Sequence, residues 1–286
     1  MNPGADAEAT TVRAFVPPER FPPPAAFSRS AHVPDEASLE HIRAEAARDP
    51  VGYWADRASQ LVWSKPWDTA LDSSNPPFYK WFVGGETNIC YNALDRHVEA
   101  GRGDHVALIW EGNTPGEVRT FTYQQLKDEV CRVADAMQKK AGLVKGDRAI
   151  IFMPMVPEAA ITMLAAWRIG VTFSAIFSSF ESDPIKERIL HTGAKVVFTA
   201  NWFSRGPRSF NLKDRVDEAV EGTPIEKVVV LDRDGSTPNM VAGRDMRWND
   251  FIDGASTEVP AVPLEANSFS YILYTSGSTG GPKGMV

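Results

Sequence analysis

The stretch Tyr274-Thr-Ser-Gly-Ser-Thr-Gly-Gly-Pro-Lys-Gly-Met-Val286 follows an apolar run at 270–274 that reads as a buried strand. A strand opening straight into a loop of Gly, Ser and Thr with a single lysine has a specific chemical use. The glycines let the backbone turn tightly and approach a ligand, so that N–H groups and hydroxyls converge on phosphate oxygens. Lys283 then adds a point positive charge against a di- or triphosphate. A Walker A loop is excluded, because that pattern needs Gly-Lys followed by Ser or Thr. Here Pro282 precedes the lysine and Gly284 follows it. A general phosphate loop remains, with a flexible Gly/Ser turn as the alternative.

Upstream of the loop, from Phe121 on, short β-rich runs alternate with helical patterns. Thr122 and Gln125 form a capping box for a helix whose core face is Leu126, Val130, Val133 and Met137. The turn Lys145-Gly-Asp147 leads into a strand over 148–153. A helix from Pro157 carries Ala160, Met163, Leu164 and Trp167, and Gly170 ends it before a strand over 172–177. Asp183-Pro184 caps another helix; 195–199 and 228–231 read as strands, with a helix over 213–220 between them. This α/β alternation predicts mostly parallel sheets flanked by helices. In such sheets ligands sit beyond the carboxyl ends of the strands, which is where the loop after 270–274 falls.

The N-terminal part reads differently. Residues 1–35 are proline-rich, with Val16-Pro-Pro and Phe21-Pro-Pro-Pro, and have no apolar period, as in an extended or disordered arm. Two helices follow, one beginning near Ser38 and one with Asp49 as N-cap and Pro50 at its first position. Trp54, Trp63 and Trp67 are expected to pack together. The expected organisation is an arm over 1–35, a helical and irregular cap over 36–112, and an incomplete α/β domain over 113–286.

Composition narrows the class. The 286 residues are 43% apolar with a formal net charge of −7, and no basic run suggests a nucleic-acid surface. Cys90 and Cys131 make neither a disulfide framework nor a metal site, which fits a reducing cytoplasm. His32, His41, His97, His105 and His191 never fall at metal-ligand spacing and read as structural or surface residues, so no protein metal site is expected. No stretch reaches the roughly 18 apolar residues of a membrane span, and residues 1–11 are polar and acidic, unlike a secretory signal. The expected partners are small molecules, with neither nucleic acid nor membrane.

Several motifs in order carry a resemblance. Tyr274 to Gly284 looks like the signature loop of the adenylate-forming superfamily. Lys80-Trp-Phe-Val-Gly-Gly85, Tyr91-Asn-Ala-Leu-Asp-Arg-His97, Val106-Ala-Leu-Ile-Trp-Glu-Gly112 and Met153-Pro-Met-Val-Pro-Glu-Ala159 are similar to the N-terminal half of acetyl-CoA synthetases and their propionyl and 3-hydroxypropionyl relatives. The resemblance runs from about residue 35 to 286 and extends to the ligase module of propionyl-CoA synthases. It implies the N-terminal part of a large domain layered αβαβα, and AMP-forming ligation of a short carboxylate to CoA through an acyl-adenylate.

The same resemblance implies site residues. Thr275, Ser276, Gly277, Ser278, Thr279, Gly280 and Lys283 would cradle the β- and γ-phosphates of ATP, with Mg²⁺ sharing the charge and Lys283 assisting catalysis. Near Ala200-Asn-Trp-Phe-Ser-Arg-Gly-Pro-Arg208 the family has a Gly-rich arginine segment that contacts the phosphates of CoA. Arg205 and Arg208 match it in spacing, and arginine suits phosphate geometry; a solvated loop with two surface arginines is the other reading. Two departures stand out: Pro207 replaces an expected glycine, and Phe177-Ser-Ser-Phe180 stands where the family has a Gly-Gly pair. The adenine pocket, acyl pocket, hinge and C-terminal lysine of the family lie further downstream. The isolated chain is therefore expected to be inactive and to need the remainder of its polypeptide. A catalytically silent nucleotide-binding or scaffold module is the alternative. Glu158, Asp95, Arg96 and His97 are read as structural.

Overall fold

The computed structural model describes residues 21–205, 208–233, 235–275 and 282–286. It divides into two compact units, Met1–Asp56 and Arg57–Val286.

In the first unit, helix α1 (Ala25–Ser30) begins directly after the last proline of the run, inside the stretch expected to be extended. Helix α2 (Glu36–Arg48) starts two residues before Ser38, because the Asp35 carboxylate accepts a hydrogen bond from the Ser38 N–H at 2.7 Å. Helix α3 (Pro50–Ser59), which runs across the boundary at Asp56, is capped in the same way, Asp49 Oδ1 accepting from Gly52 N at 2.9 Å. Pro50 at its first position has no N–H to leave unsatisfied.

The second unit opens on an aromatic cluster. Trp63 and Trp67 pack together at 4.9 Å, but the third ring is Phe82, at 5.5 and 5.1 Å from them. Trp54, expected in this cluster, belongs to the first unit, where it lies edge-on against Tyr53. Strands β1 (Thr69–Asp72) and β2 (Lys80–Val83) pair antiparallel, β3 (Glu86–Thr87) follows, and 91–102 forms wide π-helical turns. Strands β4 (Val106–Glu111) and β5 (Val118–Thr122) make a hairpin. β5 ends at Thr122, whose hydroxyl accepts from Gln125 N at 3.2 Å while Gln125 Oε1 accepts from Thr122 N at 2.9 Å. Such a reciprocal cap satisfies two otherwise free N–H groups and starts helix α4 (Tyr123–Lys139). Leu126, Val130, Val133 and Met137 of α4 are all buried.

The centre is a parallel sheet. Its strands are β6 (Arg148–Phe152), β7 (Thr172–Ala175), β8 (Val196–Ala200), β11 (Lys227–Leu231) and β12 (Asp245–Arg247), in the order β12-β11-β8-β6-β7. Strands β9 (Trp202–Arg205) and β10 (Arg208–Asn211) form an antiparallel hairpin after β8. Helices α5 (Pro157–Ile169), α6 (Ser182–Thr192), α7 (Leu212–Val220) and α8 (Trp248–Ile252) connect or flank the strands. Alternate residues of the strands go to opposite faces. Ala149, Ile151, Phe198 and Val229 meet Val133, Ala165 and Phe251 of α4, α5 and α8 on one side. Ile150, Phe152, Val197 and Val230 meet Ile185, Ile189 and Val216 of α6 and α7 on the other. Each aliphatic side chain buried this way contributes about 1.5–3 kcal/mol. The result is a parallel sheet between helical layers, the α/β architecture read from the alternation.

Several boundaries differ from expectation. β6 and β7 stop at Phe152 and Ala175. α6 begins at Ser182 behind Glu181 with no side-chain cap, so Asp183 lies in the first turn rather than capping it. α5 buries Ile161, Ala165, Ala166 and Ile169, whereas Ala160, Met163, Leu164 and Trp167 are only half-buried. Strands β13 (Leu264–Glu265), β14 (Leu273–Thr275) and β15 (Lys283–Met285) complete the chain. The buried strand expected over 270–274 is therefore a short one, exposed at Leu273 and Thr275. Tyr271 makes a single parallel bridge to Phe173 of β7, and Ile272 N donates to Phe173 O at 2.8 Å before the chain leaves to pair with β15. Among the described residues no helix is long and apolar enough to cross a membrane.

Candidate functional site

β14 and β15 form the antiparallel stem of the Gly/Ser/Thr loop. Thr275 stands opposite Lys283, and Tyr274 opposite Gly284. Directly opposed residues of an antiparallel pair present their side chains on the same face. The stem thus brings together the hydroxyl and the ammonium that the sequence places eight residues apart, both exposed. Ser276, Gly277, Ser278, Thr279 and Gly280 lie outside the described residues.

The stem rests on α6. The Tyr274 hydroxyl is 2.6 Å from Nδ1 of His191, and the two rings meet edge-on at 5.5 Å. One helical turn earlier, the buried Arg188 guanidinium lies between two rings, 4.8 Å from Tyr274 and 4.9 Å from Phe180, and donates to Pro184 O at 2.7 Å. Burial pushes the Tyr274 hydroxyl above its ordinary pKa, against the pull of Arg188 and with Glu187 adding to the rise. Gly284 lets the returning strand approach closely. A Cβ there would lie 3.1 Å from Ile272 Cγ2 and 3.2 Å from His191 Cε1.

One cavity adjoins this arrangement, and a second shares part of its lining. The first, of about 330 Å³, is lined by Met153, Met163, Ile176, Phe180, Arg188 and Tyr274 among others. The second, of about 350 Å³, is lined by Trp110, Asn113, Ser178, Ser179, Phe203 and Ser204 among others. Pro154, Met155, Phe177 and Ser178 border both, so one wall separates them. Hydrogen bonds fix that wall: Trp110 Nε1 donates to Met155 O at 2.7 Å, and Ser178 Oγ donates to Met153 O at 2.9 Å. Asn113 Nδ2 donates to Ser204 O at 3.1 Å and ties the β4–β5 hairpin to the β9–β10 hairpin.

Arg205 and Arg208 are cross-strand partners at the tip of the β9–β10 hairpin, and Arg208 is exposed. Phe203 and Phe210 stack at 4.9 Å in its body. The structure therefore brings the Ser178-Ser179 pair and Phe203 and Ser204 of the arginine hairpin to one cavity, while Ser178 also lines the cavity that Tyr274 borders. Glu158, buried at the start of α5, is paired with Arg119 at 2.6 Å. Among the described residues no three His, Cys, Asp or Glu side chains cluster as a metal site. Sequence reading passed over Arg188 and His191, taking the histidine as structural or surface. Their spacing of three on one helix face was the available signal, but nothing local says that Tyr274 is what they meet.

Comparison with known proteins follows the same lines. The profile of the AMP-binding enzyme family matches residues 94–286, and that of the acetyl-coenzyme A synthetase N-terminus matches residues 39–93. An acetyl-coenzyme A synthetase of Rubrobacter xylanophilus is 46% identical over 280 residues, covering 98% of this chain and 42% of the relative. One of Mycolicibacterium smegmatis is 43% identical over 270 residues, covering 94% of this chain and 28% of the relative. One of Streptomyces coelicolor is 46% identical over 268 residues, covering 93% and 40%. The chain thus spans less than half the length of these relatives.

Proposed function

The chain belongs to the AMP-binding enzyme family, and on that premise we propose that the whole protein joins a short carboxylate to coenzyme A through an acyl-adenylate. Acetate is the first candidate substrate, because the relatives compared above are acetyl-coenzyme A synthetases. Propionate and 3-hydroxypropionate are the others. The observation that carries the reading is the opposition of Thr275 and Lys283 at the mouth of the Gly/Ser/Thr loop.

The chemistry divides in two. A carboxylate oxygen attacks the α-phosphorus of ATP; the bond to the bridging oxygen breaks, and pyrophosphate leaves with that electron pair. The thiolate of CoA then attacks the acyl carbonyl and AMP leaves. In the first step negative charge gathers on the departing pyrophosphate. Little covalent work falls to the protein, which positions the groups and stabilises this charge. Lys283 supplies a point cation there, and the Thr275 hydroxyl a hydrogen bond. Ser276, Gly277, Ser278, Thr279 and Gly280 complete the cradle in this proposal. Mg²⁺ accompanying the nucleotide would supply further charge neutralisation. Arg205 and Arg208 are proposed to meet the phosphates of CoA, and the cavity beside Ser178 and Ser179 to receive its arm. We place this reaction in the cytoplasm.

The test uses the whole protein with Mg²⁺-ATP, CoA and each of the three carboxylates, following AMP and pyrophosphate. Carboxylate-dependent release of both, with thioester formed, is the expected outcome. Saturable ATP binding with no pyrophosphate exchange would instead identify a silent nucleotide-binding module. The isolated 286-residue chain is expected to show no turnover in the same assay.

A further inference from the structure

Resting on the reading of the loop as a phosphate cradle, we propose that Arg188 and His191 of α6, acting through Tyr274, are positioning residues for Thr275 and Lys283. The stem is a two-stranded ribbon. Such a ribbon is marginal by itself and takes its place from what it rests on. Its tie to the parallel sheet at Phe173 runs through Tyr271 and Ile272, before the stem begins. Beyond that point Arg188 and His191 of α6 meet Tyr274.

Both strands of the stem rest on one imidazole. On the outgoing strand, the Tyr274 hydroxyl lies 2.6 Å from His191 Nδ1. On the returning strand, Gly284 packs so close that an added Cβ would stand 3.2 Å from His191 Cε1. Tyr274 and Gly284 are themselves cross-strand partners, and the next pair outward is Thr275 with Lys283. Arg188 closes the other side, its guanidinium over the Tyr274 ring and the Phe180 ring at once. A guanidinium fixed between two rings keeps the tyrosine from rotating, so its hydroxyl stays on the imidazole. One helix face therefore sets the height and direction of both groups proposed to meet the phosphates. Displacements of about 1 Å at reacting groups can cost about 100-fold in rate.

A positioning role separates from a merely structural one, because the loop serves only the adenylate-forming half of the reaction. In the whole protein, Tyr274→Phe, His191→Ala and His191→Asn are compared in two assays. The first is acetate-dependent ATP–pyrophosphate exchange; the second is transfer from synthetic acetyl-adenylate to CoA. Tyr274→Phe keeps the ring contacts and loses only the hydroxyl, so it keeps the fold. It and His191→Ala are expected to slow exchange by about tenfold while thioester formation stays within about twofold. His191→Asn, which retains a hydrogen-bonding atom near the Nδ1 position, is expected to restore most of the exchange rate. Unchanged exchange, or an equal fall in both assays, overturns the proposal while leaving the ligase reading intact. Absence of exchange in the unmodified protein is a different result: it removes the ligase reading, and this inference with it.

Discussion

Asp95 and Arg168, 73 residues apart, meet as a buried fork: Nη1 donates to Oδ2 and Nη2 to Oδ1, both at 2.8 Å. The side chains are 6% and 3% exposed, Arg168 Nε also donates to Val259 O, and Lys127 stands 3.5 Å from Asp95. A pair this buried is expensive to break but not to replace, since removing one partner leaves an uncompensated charge. Asp95→Ala is therefore expected to destabilise the whole protein by about 3–5 kcal/mol, and Arg168→Met by a similar amount. The double variant Asp95→Leu/Arg168→Met is expected to lose far less than the sum. Urea midpoints give the comparison, and simple additivity would dismiss the pair as a unit.

Cys90 lies against this fork, with Arg168 Nη1 donating to its Sγ at 3.4 Å. Burial pushes its thiol up to about 12, more than the nearby Arg168 pulls it down. The reactive species of a cysteine is the thiolate, so at pH 8 only about one part in ten thousand of such a group is available. Burial likewise raises the Cys131 thiol. Iodoacetamide at pH 8 is expected to leave both unmodified in the native protein and to label both in urea. Rapid native labelling seen by mass spectrometry would contradict the burial.

A second charged cluster contributes to the acid limb of stability. Lys213, with a fully buried side chain, pairs with Asp217 at 2.6 Å and with Asp245 at 2.9 Å, and Arg244 joins both carboxylates. Burial alone would raise the Asp245 pKa. Hydrogen bonds from Arg244, the Val241 N–H and Lys213 outweigh it, and the carboxyl is held below its ordinary value. A group whose pKa is depressed by folding stabilises above its unfolded value of about 3.9, and that stabilisation is lost as pH falls through the folded value. The melting temperature is thus expected to be level from neutral pH to about pH 5 and to drop below about pH 4. Asp245→Asn should lower the plateau and flatten the drop. An acid limb of unchanged steepness in that variant would assign it to other carboxylates.

How much of this was legible follows from the range of the interactions. The Thr122–Gln125 capping box, the αL stop at Gly170 and the alternation that splits Ile150 and Ile151 between opposite faces are local, so sequence spacing revealed them. The run at 270–274 misled because apolar residues mark a strand without saying which partner it takes. Only Tyr271 and Ile272 reach β7, and the rest turns toward β15. Asp183-Pro184 carries a capping pattern, yet the helix starts two residues earlier, where Ser182 Oγ donates to Glu218 of α7. Thr275 and Lys283 stood out by chemistry; that they face each other across a stem did not. The Tyr274–His191 contact spans 83 residues and has no local signature at all.

The arginine hairpin gives a prediction that separates its two readings. Arg205 and Arg208 are cross-strand partners beside Phe203 and Ser204 of the cavity that Ser178 and Ser179 also line. Arginine suits phosphate geometry, and two of them paired across one hairpin form a candidate contact for a phosphate cluster. In the whole protein, Arg205→Ala/Arg208→Ala is expected to raise the KM for CoA by about tenfold or more, with the KM for ATP unchanged. An unaltered KM for CoA would return both residues to the solvated surface.

Lys283 carries the most direct test of the phosphate cradle. Its partner across the stem is Thr275, and it is exposed at the mouth of the loop, open to a ligand arriving from solvent. Removing a preorganised charge that acts on the leaving pyrophosphate typically costs about 3–4 kcal/mol in the transition state, or about 100- to 1,000-fold in rate. Lys283→Ala is therefore expected to slow acetate-dependent ATP–pyrophosphate exchange by that order. Lys283→Arg restores the charge but not its point geometry, and should recover only part of the rate. Transfer from pre-formed acetyl-adenylate to CoA involves no pyrophosphate and is expected to continue in both variants. Exchange at the unmodified rate in Lys283→Ala would remove the lysine from the chemistry and leave the loop's backbone and hydroxyls to hold the phosphates alone.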